Sequence, residues 1–144
     1  MSKKHNDALK SFIEEIPPLA TKTFEAIAKY PYPDASVKVL PPYLLMFPSD
    51  GKNTSERVAL RPRTRHPRWT LHLVGSSADQ VGDIAELLTA HLLPDDRGAV
   101  LAVAGEVCKP LWLDSPLPLQ VIDNATPALV YQVFECGLDA DPLP

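Results

Sequence analysis

Proline constrains this chain more than any motif does. The 144 residues contain sixteen prolines and only six glycines, and seven of the prolines lie between residues 31 and 67. Each proline fixes its own φ at about −65°, removes a hydrogen-bond donor and pushes the preceding residue out of the helical region. A proline content about twice the usual ~5% with little glycine predicts stiff, extended connectors rather than floppy ones. Regular elements must therefore fit between these breaks.

Residues 5–16, "HNDALKSFIEEI", carry Leu9, Phe12, Ile13 and Ile16 at i, i+3, i+4 and i+7, the spacing of an amphipathic helix. Pro17-Pro18 ends it. Because proline is welcome at a first helical position, "PPLATKTFEAIAKY" is expected to open a second helix carrying Leu19, Ala20, Phe24 and Ile27. An extended linker follows, with a short strand expected at 37–40 and another at 43–47, "YLLMF". Asp50-Gly51 reads as a turn. "RWTLHLVG", 68–75, alternates: Trp69, Leu71 and Leu73 face one way, and Arg68, Thr70 and His72 the other. In "SSADQVGDIAELLTAHLL", Ser77 and Gln80 form a capping box. Val81, Ile84, Ala85, Leu88 and Leu92 make the apolar stripe of a central helix, with Asp79 and Asp83 near its positive end.

Three β-rich runs complete the chain: "AVLAVAGEVCKPLWL", "LPLQVIDN" and "ALVYQVFECGL". The order predicts an α+β fold: one domain over 1–138, mainly antiparallel sheet, with an N-terminal helical part at 5–30 and the central helix packed on it. Residues 139–144, "DADPLP", are expected to be a mobile acidic tail.

A chain of this length can bury roughly 70% of its unfolded surface without a disulfide or metal. No apolar run approaches the ~20 residues of a membrane span, and the polar N-terminus lacks a signal-peptide pattern. Cys108 and Cys136 are expected to be free thiols, consistent with a cytoplasmic origin. Glycine-rich phosphate loops and G-x-S-x-G are absent. His5, His66, His72 and His91 show no metal-ligand spacing. His72 reads as a polar-face strand residue and His91 as a helix-end residue. The expectation is a protein that is not an enzyme and has no cofactor and no metal.

Charge is unevenly placed. The net charge is −4, yet residues 1–68 hold 12 Lys/Arg against 7 Asp/Glu, and residues 69–144 hold 2 against 11. Copies with opposed flanks would attract head to tail, a contact that closes into rings when the rotation permits; the alternative is that the charges mix in three dimensions. Positive charge concentrates in "SERVALRPRTRHPRW", with Arg57, Arg61, Arg63, Arg65 and Arg68 alongside His66. Arg61, Arg63 and Arg65 are two apart, so an extended chain points them one way. Such a row suits carboxylates across a protein interface. Phosphate contacts by a small nucleic-acid-binding module, or a solvated arm that blocks edge aggregation, are the alternatives. The acidic balance of the chain weighs against nucleic acid.

"PPYLLMFPSDG" (41–51), "RPRTRHPRWTLHLVGSSADQVGDIAELLTAHL" (61–92) and "KPLWLDSPLPLQVIDNATPALVYQVFECGL" (109–138) together resemble tail terminator proteins of long-tailed bacteriophages, particularly those infecting actinobacteria. The resemblance covers most of 41–138; residues 17–40 match poorly. It implies an α+β protein that forms a hexameric ring on the last ring of the tail tube, stops polymerisation and offers a docking surface to the head connector. Its partners would be copies of itself, the major tail-tube protein and the connector. DNA would pass through the lumen without specific binding. The place of action would be the tail-neck junction of the virion, reached from the host cytoplasm. Arg57, Arg61, Arg63, Arg65, His66 and Arg68 would then be interface residues. Another neck or head-completion protein is the nearest alternative.

Overall fold

Alternating and helical periods both find their partners on a single sheet face. The computed structural model describes residues 3–25, 41–49, 64–115, 117–122 and 129–143. Its elements are α1 (Lys3–Ile13), a 3-10 turn (Pro17–Leu19), β1 (Thr23–Glu25), β2 (Tyr43–Ser49), β3 (Arg68–Gly75) and α2 (Ala78–Leu92). A second 3-10 turn (Pro94–Asp96) follows, then β4 (Glu106–Cys108), β5 (Trp112–Asp114), β6 (Gln120–Ile122), β7 (Leu129–Gly137) and β8 (Ala140–Pro142).

The main sheet runs β1-β2-β3-β7-β5, and β6 also pairs with β7. All of its pairings are antiparallel except β1 with β2. β4 and β8 form a separate antiparallel pair. This is the α+β architecture that the element order predicts.

The alternation of β3 is real. Trp69, Leu71 and Leu73 are buried on the helix-covered face, where Cys136 and Phe134 of β7 sit opposite Trp69 and Leu71. α2 packs on β3 and β7 through Val81, Ile84, Leu88 and Leu92. Burying each of these side chains stabilises by about 1.5–3 kcal/mol relative to exposure. The Ser77 hydroxyl accepts from the Gln80 N–H, and Gln80 Oε1 accepts from the Ser76 N–H, so the predicted cap is present with its return bond one residue earlier. α1 buries Leu9 and Ile13 in the same core. It is tied to α2 by His91, whose ring stacks on Phe12 and whose Nε2 lies 2.7 Å from the Phe12 carbonyl. The indole N–H of Trp69 donates to Asn6 at 2.9 Å. On the opposite sheet face, His72 stacks on Tyr131 and meets Phe47 at a 50° tilt, a diagonal row across β2, β3 and β7.

Three expectations are corrected. The helix expected from Pro17 is only one 3-10 turn, and Thr23–Glu25 is a strand parallel to Leu44–Met46. Thr23 Oγ1 donates to the Leu19 carbonyl, and the Leu44 N–H donates to the Lys22 carbonyl. Closing the turn and pairing with the sheet edge replace the helical bonds that the proline start invites; residues 26–30 lie outside the described residues. The tail is likewise not free: Ala140 is fully buried and β8 pairs with β4. The run expected to be strand-rich at 99–113 has ladders only at Glu106–Cys108 and Trp112–Asp114. There Ala99 exchanges backbone bonds with Leu92 and Leu111 instead. The strand expected at 37–40 and the Asp50-Gly51 turn lie outside the described residues.

Candidate interaction surface at the root of the arginine segment

β2 ends at Ser49 and β3 begins at Arg68, and these two residues are sheet partners. The segment between them therefore leaves and re-enters the sheet at one place. Arg57, Arg61 and Arg63 lie outside the described residues, so the structure reports on Arg65, His66 and Arg68.

Those three are brought together by the segment expected to be a loose tail. Arg65 and Ala140 form an antiparallel bridge, each N–H donating to the other's carbonyl at 2.9 Å. The Thr64 hydroxyl donates to Asp141 Oδ1 at 2.5 Å. His66 Nδ1 lies 2.6 Å from Asp139 Oδ1. The Arg68 guanidinium donates to the carbonyls of Pro67 and Leu138, both at 3.0 Å. It also lies 3.7 Å from Asp139 and 5.2 Å above the Trp112 ring. The His66 hydrogen bond, helped by the charges of Arg68 and Lys109, outweighs burial and holds the Asp139 carboxyl below its ordinary value.

Of the six predicted interface residues, the three that are described separate by role. His66 and Arg68 are engaged inside the fold and anchor the segment's root, whereas Arg65 is exposed. Asp139, Asp141, Thr64 and Trp112 complete the anchor and were not singled out by sequence. The available signal was the acidic "DAD" of a chain whose basic residues cluster elsewhere.

Away from this root the surface changes character. Asp79, Asp83 and Glu86 line the solvent face of α2, and none has an ion-pair partner among the described residues. β5 and β6 lie against one edge of β7, and along them Leu117, Leu119 and Val121 are exposed. A groove of about 770 Å³ opens between α2, the Pro94–Asp96 turn and β7.

Both cysteines are buried free thiols. Burial pushes Cys136 up to about 12, and burial with the Glu106 charge raises Cys108. Among the described residues no cluster of His, Cys, Asp and Glu could hold a metal, and no helix is long and apolar enough to cross a membrane. The most unusual polar contact is a buried one: His5 Nε2 faces Glu106 Oε2 at 2.5 Å, joining α1 to β4.

No family model and no curated protein matches this chain. A solved structure matches over 98% of this chain and 93% of its own length, with a TM-score of 0.55 and 14% identity. At that identity the likeness shows the fold alone: an α+β domain shared along nearly the whole length of both chains.

Proposed function

We propose that this chain is a non-catalytic virion assembly protein, a tail terminator whose copies close into a ring on the end of a tail tube. The ring halts polymerisation and presents a face to the head connector. The observation that carries the reading is the chemical opposition of two surfaces on one small domain. The arginine segment is rooted at one end of the sheet by a dedicated acidic anchor. The solvent face of α2 offers carboxylates with no ion pair among the described residues, and the β5–β6 edge offers apolar side chains. A brick of this kind meets its own copies head to tail, and such contacts generate rings when the rotation closes. The sequence resemblance over 41–138 supplies the tail and neck setting.

The test is assembly. Replacing Arg57, Arg61 and Arg63 with Ala is expected to yield tails of uncontrolled length, or tails that do not join heads. Virions of normal length and infectivity from that variant would overturn the proposal. If the segment instead served nucleic acid, the same chain would bind DNA with a steep salt dependence that the triple change abolishes.

A further inference from the structure

The groove beside α2 has the chemistry to receive the arginine segment of another copy. Its floor is apolar, formed by Ala85, Leu93 and Phe134, and its rim carries Glu86, Asp95 and Asp96. All three rim carboxylates are exposed and have no ion-pair partner among the described residues; Arg97 is the adjacent basic residue. Asp95 and Asp96 both take positive φ, 53° and 61°, which non-glycine residues uncommonly adopt. The turn that imposes this is held by backbone bonds from Asp96 to Leu93 and from Arg97 to Pro94. The backbone of two successive aspartates is thereby held at the groove mouth.

We propose that this groove binds the Arg57–Arg65 segment of a neighbouring copy. The proposal rests on the ring reading above and names the contact that would close the ring. Charge complementarity identifies the occupant. Arg61, Arg63 and Arg65 alternate along the sequence, so in an extended segment they share one side with a spacing of roughly 6–7 Å. Planar guanidinium forks suit carboxylates better than ammonium groups do. Near the root, the acidic side chains are already engaged: Asp139 with His66 and Arg68, and Asp141 with Thr64. Among the described residues Asp79, Asp83, Glu86, Asp95 and Asp96 are exposed carboxylates without an ion pair, and of these Glu86, Asp95 and Asp96 also border an apolar floor. Seating a neighbour's segment in the groove also makes the contact heterologous, as ring closure requires.

The full chain is tested by sedimentation velocity and native mass measurement, from micromolar to millimolar concentration, in low and high salt. The groove variant is Glu86→Gln/Asp95→Asn/Asp96→Asn, since Asn tolerates positive φ. The segment variant is Arg57→Gln/Arg61→Gln/Arg63→Gln. Wild type is expected to form a closed oligomer that weakens as salt rises. Losing three exposed ion pairs at roughly twofold each weakens association by about tenfold in either variant. Mixed one to one, the two variants retain a single competent pairing per couple and stop at heterodimers. Glu86→Gln alone, on an exposed helical position, gives a smaller effect in the same direction and guards against misfolding at the turn. A groove variant that assembles like wild type while wild type forms rings would overturn this contact and leave the ring reading standing. The absence of heterodimers in the mixture, with wild type forming rings, would do the same. Wild type that stays monomeric under every condition would overturn both.

Discussion

Glu106→Ala should be among the most destabilising single changes outside the apolar core. The Glu106 and His5 side chains are 4% and 1% exposed, and they face each other at 2.5 Å. Burial holds His5 below its ordinary value, and the neighbouring Glu106 only partly offsets this. At pH 7.5 His5 is therefore neutral, with its Nε2 packed directly against the buried carboxylate. Lys4 adds a weaker contact at 3.8 Å from its exposed position, and Arg65 and Lys4 both oppose protonation of the ring. A hydrogen bond to a charged group contributes about 1.5–3 kcal/mol, and breaking a buried pair costs about 3–5 kcal/mol. Here the pair is neutral on one side and bordered by the half-exposed Lys4, so the lower end applies, about 2–3 kcal/mol. For a domain of this size that lowers Tm by roughly 5–10 °C.

Urea unfolding at pH 7.5 measures the loss, and the pair His5→Leu/Glu106→Met supplies the control. Replacing both partners with apolar side chains should recover at least half of it, because neither member of the pair is then buried without the other. The pH dependence has a definite sign. The unfolded chain takes up the His5 proton at 6.5, and the folded chain only below that value. Stability is thus fully present above pH 6.5 and falls as the pH drops below it. His5→Leu removes part of this slope; His72, lowered by burial among its aromatic neighbours, keeps the remainder. A Glu106→Ala variant within about 0.5 kcal/mol of wild type, well below the expected hydrogen-bond contribution, would refute the reasoning. So would wild-type stability that rises on acidification from pH 7 to 5.5.

Four further outcomes are expected. Arg68→Ala loses two carbonyl bonds, the Asp139 contact and the stacking on Trp112, at about 1–2 kcal/mol by urea midpoint; Arg68→Lys recovers less than half, lacking the planar fork. Gly98→Ala drives a Cβ into the Leu111 carbonyl and costs about 2 kcal/mol or more. Gly82→Ala meets nothing within 4 Å and gains about 0.5–1 kcal/mol of helix propensity, so the two thermal melts should move in opposite directions. Ending the chain after Leu138 removes Ala140 from Arg65, Asp139 from His66 and Asp141 from Thr64; trypsin should then cut after Arg65 markedly faster than in the intact chain. Ellman's reagent at pH 8 should leave Cys108 and Cys136 unlabelled in the native protein and label both in urea.

Local signals were readable wherever a single element carries its own instruction. The Ser77 cap and the Val81–Leu92 stripe specify α2, and the alternation through Trp69, Leu71 and Leu73 specifies β3. Features made by partners distant in sequence were not. Thr23–Glu25 has helical neighbours in sequence and becomes a strand only because the edge of β2 is beside it. Asp139 reads as a tail residue until His66 and Arg68 are placed next to it. The groove depends on two aspartates in a left-handed turn, a position that composition alone assigns to solvent. Clustering of arginines was visible, but the anchor that separates inward Arg68 from outward Arg65 was not.

The first helix has an awkward childhood on the ribosome. Its main polar attachments reach forward to Trp69, to the Ala104 carbonyl and to Glu106, the last two about a hundred residues downstream. At roughly 5–20 residues per second, translation takes some 5–20 s to deliver the later of these. Through that interval Leu9, Ile13 and Ile16 have no finished core to enter. A nascent chain stalled before Glu106 therefore carries the apolar stripe of Leu9, Ile13 and Ile16 without its later polar partners.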